Sequence, residues 1–363
     1  MKRRVLQRTL SVASSLLLIV ACDRSEQVAR SASGWTPIDS TVLEETDSEY
    51  VGRPVGLAVS EIGDLFVIDG FRPSVARFAG NGTFLGRIGR SGEGPGEFVA
   101  PTGLAFPNDS TVAVLDLRAN QISLFTRESG RFIRRRPFEG SYRSISAGRD
   151  SLWLGLWNAR LGTSIALWSV TDDTISHRLP LPSVYGPQDW RTMLLDRTIV
   201  VPISNALLVA FAGQESLLLT DPNGLVIDSL AVPVLRRRGI PDDVEERMRA
   251  EGTMEGAWRI ASYLLAAERL VNGHVAIVHA DMELKDRTFL MDVFVSLLSP
   301  DLKRACVDEP LPLTGEAQPW LAFRGDTLFA LEQVTADSER VRTVVRRFVP
   351  NPTACSWRPV KRW

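Results

Sequence analysis

The chain has 363 residues, 44% hydrophobic and 23% charged, a globular composition with enough apolar residues for a sizeable core. Its 42 basic residues nearly balance 43 acidic ones, and loss of Lys2, Arg3, Arg4 and Arg8 with a leader leaves 38 against 43, a net charge of −5. Phosphate binding needs a basic face, so nucleic acid is excluded as a partner.

The chain opens with Lys2-Arg3-Arg4 and an apolar stretch over 10–20 that is too short to span a bilayer. The stretch ends in Leu18-Ile19-Val20-Ala21-Cys22. Small or apolar residues directly before such a cysteine resemble a bacterial lipobox. The resemblance implies a signal peptide over 1–21, a diacylated Cys22, and a protein tethered to the bilayer of the cell envelope, facing the periplasm or the exterior. A plain secretory signal with an incidental cysteine, or a short membrane anchor, is the other reading. Residues 22–34 are polar and read as a flexible tether.

Residues 35–49 alternate in part and suit a lone strand. In a radial fold such a strand can pair into the last unit and remove an open edge. From Pro54 the pattern is regular, with short alternating strands near 56–59, 65–68, 75–78 and 84–88 and an Asn81-Gly82 hairpin signal. A Gly/Pro-rich connector follows, and the register restarts. Gly56-Leu57-Ala58 recurs as Gly103-Leu104-Ala105, Asp69 as Asp116, and Phe78 as Phe125, each 47 positions on. Four-strand units continue near 103–135, 144–179, 199–230, 261–307 and 320–349, which makes six, with five or seven as the alternative counts because units three to five match the first two poorly. Asp followed by Ser or Thr recurs at first hairpins, at 109–110, 150–151 and 326–327, and reads as turn capping rather than catalysis. The outer strand of the last unit is either the N-terminal segment or the tail around 356–360. Between the fourth and fifth units, Pro241-Asp242-Asp243 leads a helix-like run to Ala250. It has acids early and Arg late, within an insertion at about 236–258.

Three stretches, 69–78 (DGFRPSVARF), 116–125 (DLRANQISLF) and 86–98 (GRIGRSGEGPGEF), resemble the NHL-type repeat of six-bladed propellers. The match is good over 54–126 and weak beyond. It implies an all-β, six-bladed β-propeller of four-stranded blades over 35–363, with a short helical insertion between blades four and five. Overall the chain resembles bacterial propeller lipoproteins of uncharacterised function. The fold does not carry an activity with it, because this propeller class hosts lyases, lactonases and pure binding modules.

Asp69 and Asp116 end their strands, followed by Arg72 and by Arg118 and Asn120. These turns face one rim and are candidates for ligand or partner binding, against the alternative that the Asp accepts turn amides and the Arg pairs locally. Trp157 and Trp190 stand beside loops and are the tryptophans most suited to contact a partner. Cys306 and Cys355 form an even pair in an oxidising compartment and are candidates for a disulfide. His274 and His279 are five apart in one strand and face opposite sides, so paired-histidine metal catalysis is not expected, and no cofactor is expected. The glycines at 89, 92, 94 and 96 lie outside any strand-to-helix turn and read as a connector, not a phosphate loop. The leading expectation is a non-catalytic binding or scaffold module for an unknown protein or small-molecule ligand. A metal-dependent hydrolase or lyase of the gluconolactonase type and an accessory subunit of a membrane complex are the alternatives.

Overall fold

The computed structural model describes residues 34–158, 162–180, 197–212, 214–233, 262–285, 288–313, 318–336 and 340–362, together with isolated positions 236, 239, 243, 246 and 250. All of them lie in the second of two compact units, which begins at Ser33. The expected signal segment, Cys22 and nearly all of the expected tether lie outside the described residues. So does the expected helix: between 236 and 258 only those five isolated positions are described, and every secondary-structure element among the described residues is a strand.

The strands build six antiparallel blades, each four strands deep from inside to outside. Blade one is Pro54–Val59, Leu65–Asp69, Ser74–Phe78 and Phe84–Ile88; blade two runs from Pro101–Asn108 to Phe132–Pro137. Middle strands have neighbouring blades on both faces, so they read as unbroken apolar runs: every residue of Leu65–Asp69 and Thr111–Asp116 is buried. Outer strands are covered on one face only and alternate, as Phe132-Ile133-Arg134-Arg135-Arg136 does. The core lies between blades. Phe66, Ile68, Val75 and Ile88 of blade one pack with Val112, Val114 and Phe125 of blade two, and Phe98 of the connector fills the same layer. That position forces a glycine at 89, where φ is +67° and a Cβ would collide with the Phe98 ring.

Ring closure uses the N-terminal strand. Trp35–Val42 pairs with Arg340–Pro350 as the outer strand of blade six, so the choice between N-terminal segment and tail falls to the former. The tail does something else. Trp357–Pro359 adds a fifth strand to blade five and Lys361–Arg362 a fifth strand to blade four. Cys306 of blade five is bonded to Cys355 at the start of that tail, with Cα atoms 5.4 Å apart.

The two faces of the ring differ. On one face lie the turns between first and second strands and between third and fourth, all short. They are stitched from blade to blade: the Asp150 amide donates to Pro107 O at 3.0 Å, and the Asn272 amide to Asp326 Oδ1 at 3.0 Å. On the other face lie the second-to-third hairpins and the connections between blades. There the hairpins of blades five and six rise above the rest. Each continues for five residue pairs beyond its first strand, Asp281↔Asp292 to Lys285↔Thr288 and Glu332↔Val344 to Ala336↔Arg340. At about 3.3 Å per residue each stands roughly 15 Å proud.

Candidate functional site

Asp69 and Asp116 are fully buried. Asp69 accepts from the amides of Arg53, Phe71 and Arg72 at 3.2, 3.0 and 3.3 Å, and Asp116 from those of Val99, Ala100 and Ala119 at 2.7, 3.0 and 3.0 Å. Each carboxylate therefore ties its own turn to the strand entry some 17 residues earlier. Neither presents a carboxylate to an open rim, because the backbone consumes its lone pairs. Arg72 lies over the Tyr50 ring at 4.5 Å and donates to Ser48 O at 2.8 Å, holding down the segment that leads into blade one. Asn120 adopts a left-handed φ of +48° and its side chain donates to Phe138 O, a turn role. Arg118 alone of this set is exposed on the rim. Trp157 pairs in register with Ser141 of blade three, and Trp190 lies outside the described residues.

The three histidines do not converge. His177 is exposed on an outer strand, and His274 stands 5.6 Å from the Trp357 ring, its imidazole held below the usual range chiefly by burial. His279 is fully buried in blade five, stacked on Phe294, with Nε2 3.2 Å from Asp308 Oδ1. The one described cluster with ligand atoms close enough for a metal is Cys306, Glu309 and Cys355, and its two sulfurs are bonded to each other. Glu309 instead accepts the Gly34 amide at 2.8 Å, which seats the start of the closing strand at the outer circumference between blades five and six.

A concave feature among the described residues is the central channel, about 450 Å³, lined by first strands from all six blades. Small residues keep its wall thin, among them Ala58, Ala105, Ala147 and Ala266. Its charged lining is uneven. Arg143 and Arg197 stand on adjacent blades three and four toward the connection face, and Arg197 donates to Leu265 O across to blade five at 2.7 Å. Glu268 lies further along the blade-five strand, with Glu61 and Arg324 at the mouth on the tight-turn side. Solvent reaches Glu268 through that mouth, yet protein surrounds it. Burial pushes its carboxyl up to about 7, and a backbone hydrogen bond at Arg269 opposes the shift only in part. Sequence reading did not single out Arg143, Arg197 or Glu268. The only local signal was a polar pair closing an apolar strand, Tyr263–Arg269.

Comparison with known proteins agrees with this geometry. Residues 17–156 match the model of a family described as 6-bladed beta-propeller. The chain is a six-bladed β-propeller. Among solved structures it is similar to a protein of Bacteroides fragilis, with TM-score 0.57, 11% identity, and coverage of 87% of this chain and 95% of that one. It is also similar to the Pan2 WD40 domain of Neurospora crassa, with TM-score 0.50, 11% identity, and coverage of 87% and 95%. A catalytically inactive virginiamycin B lyase of Staphylococcus aureus aligns with TM-score 0.49 at 12% identity, over 86% of this chain and 99% of that one. At such identities the likeness is one of fold. No curated protein matches the chain by sequence.

Proposed function

We propose that this propeller is a lipid-anchored binding module of the bacterial cell envelope that holds a partner protein on its connection face. The observation that carries the reading is the asymmetry of the two faces. Tight, interlinked turns make one face uniform, whereas the other carries the tall hairpins of blades five and six. The two longest connections, over 181–197 and 232–262, also begin and end on that face, and the proposed helical insertion belongs to the second of them. Loops that depart from the repeat are where specific contacts concentrate on a repeat scaffold. An acylated Cys22 fits the same plan. The described ring begins at Gly34, twelve residues after Cys22.

Photo-crosslinking groups placed at the exposed positions Val341 and Asp292 on the tall hairpins should trap one and the same protein in intact cells. The same groups at Ile62 and Val271, on the opposite face, should not. Equal trapping from both faces, or none from the hairpins, rejects the reading. Mass spectrometry of the mature N-terminus tests the anchor, and an unmodified Cys22 removes it.

A further inference from the structure

We propose that the central channel binds a small zwitterion of short-peptide length, with its carboxylate held by Arg143 and Arg197 and its ammonium by Glu268. The proposal rests on the binding-module reading but uses a different part of the molecule.

Three observations carry it. The first is charge order along the channel. Arg197 reaches the level of the Leu265 carbonyl, with Arg143 on the adjacent blade, and Glu268 stands three residues further along the same strand. Three residues of strand span about 10 Å, which is also the reach of an extended tripeptide. Glu61 and Arg324 flank the Glu268 mouth with one charge of each sign. Planar guanidinium groups suit a carboxylate, and a carboxylate suits an ammonium.

The second is size: about 450 Å³ lies within the range of small-molecule sites. The third is the wall itself. Every first strand is the innermost of its sheet and pairs on one side only, so its other backbone edge turns to the channel. Edge N–H and C=O groups are the natural partners of a peptide backbone.

Calorimetry on the full-length protein with three probes tests this: trialanine, its N-acetyl form, and its C-terminal amide. Trialanine should bind at a single saturable site. Each blocked form should bind about tenfold more weakly or worse, the loss expected for one charged hydrogen-bonded end. Glu268→Gln should erase the difference between trialanine and the acetyl form, and Arg143→Gln with Arg197→Gln the difference between trialanine and the amide. The three wild-type titrations decide the matter even if a variant misfolds. Equal binding of all three probes, sensitivity to one end only, or no trialanine binding at millimolar concentration each overturns the proposal. None of these results bears on the crosslinking test, so the two readings fail separately.

Discussion

Cys306 of blade five and Cys355 of the C-terminal tail are bonded directly beside Gly34, where a Cβ would lie 3.1 Å from the Cys355 sulfur. The bridge therefore lies where the ring closes. It closes a loop with a sequence separation of 49, which includes all of blade six except its N-terminal outer strand. Chain-entropy reasoning assigns such a loop about 4 kcal/mol of stabilisation. Cys355→Ser, or reduction of the wild-type protein, should lower the thermal midpoint by several degrees. Calorimetric scans with and without reductant check this. An unchanged midpoint would mean that the closing strand and Glu309 hold the junction unaided.

Asp116 gives a test of whether the rim aspartates are structural. Three part-buried backbone amides depend on its fully buried carboxylate. Asp116→Ala should cost about 3 kcal/mol or more in urea unfolding, since each buried donor left unpaired costs roughly 1–3 kcal/mol. Asp116→Asn keeps one acceptor oxygen and should cost less. Both variants, where folded, should retain crosslinking from Val341. Loss of crosslinking in a fully folded Asp116→Asn protein would restore the turn as a contact site.

The parts that could be read from the chain share one property: they are local and repeated. The 47-residue recurrence of Gly56, Asp69 and Phe78 is visible because blades one and two solve the same packing problem with the same residues at the same places. The Arg143, Arg197 and Glu268 grouping is invisible for the converse reason. Its members belong to blades three, four and five and meet only because the ring closes. The tail is legible as a strand around 356–360 but not as part of blades five and four, because strands of three and two residues carry too few positions to show which edge they join. The aspartates recur at the second-strand ends of blades one and two, where each carboxylate serves the amides of its own turn and strand entry, and burial at both positions follows from that.

Glu268 should give stability a pH dependence of defined sign. Its folded carboxyl titrates near 7, above the ordinary value of 4.5 that the unfolded chain keeps. Between those values the native state holds a proton that the unfolded state has lost. Its contribution is therefore fully present below about 4.5 and is lost as pH rises through about 7. Solvent entering the channel screens part of the cost, so the slope should be shallower than full burial implies. Glu268→Gln should match wild type near pH 5 and exceed it at pH 8. Urea unfolding of both proteins at pH 5, 6, 7 and 8 checks this. A constant difference across the series would place the perturbed group elsewhere.

The tail covers the outer edges of blades four and five in part. Lys361 and Arg362 pair with Ala231 and Leu230, Arg362 lies 3.5 Å from Asp228, and Trp357 sits under Arg304 at 5.6 Å while donating to Pro352 O. Ending the chain after Ser356 keeps the disulfide but removes these contacts, at a cost of about 3 kcal/mol if each lost hydrogen bond is worth roughly 1. The larger effect should be on association. The outer strand of blade four, already open at Leu225, Val226 and Ile227, which are 71%, 47% and 58% exposed, would lose its cover at Leu230 and Ala231 as well. An edge rich in exposed aliphatic side chains is a template for pairing with another copy. Light scattering should show the truncated protein self-associating with concentration while the intact protein does not. Ile227→Lys in the truncated chain should suppress that association, because a charge on an edge strand opposes pairing. If the truncated chain stays monomeric, blade four's edge is protected by something other than the tail. If Ile227→Lys has no effect, association uses the blade-five edge, whose pairing with Trp357–Pro359 is lost in the same truncation.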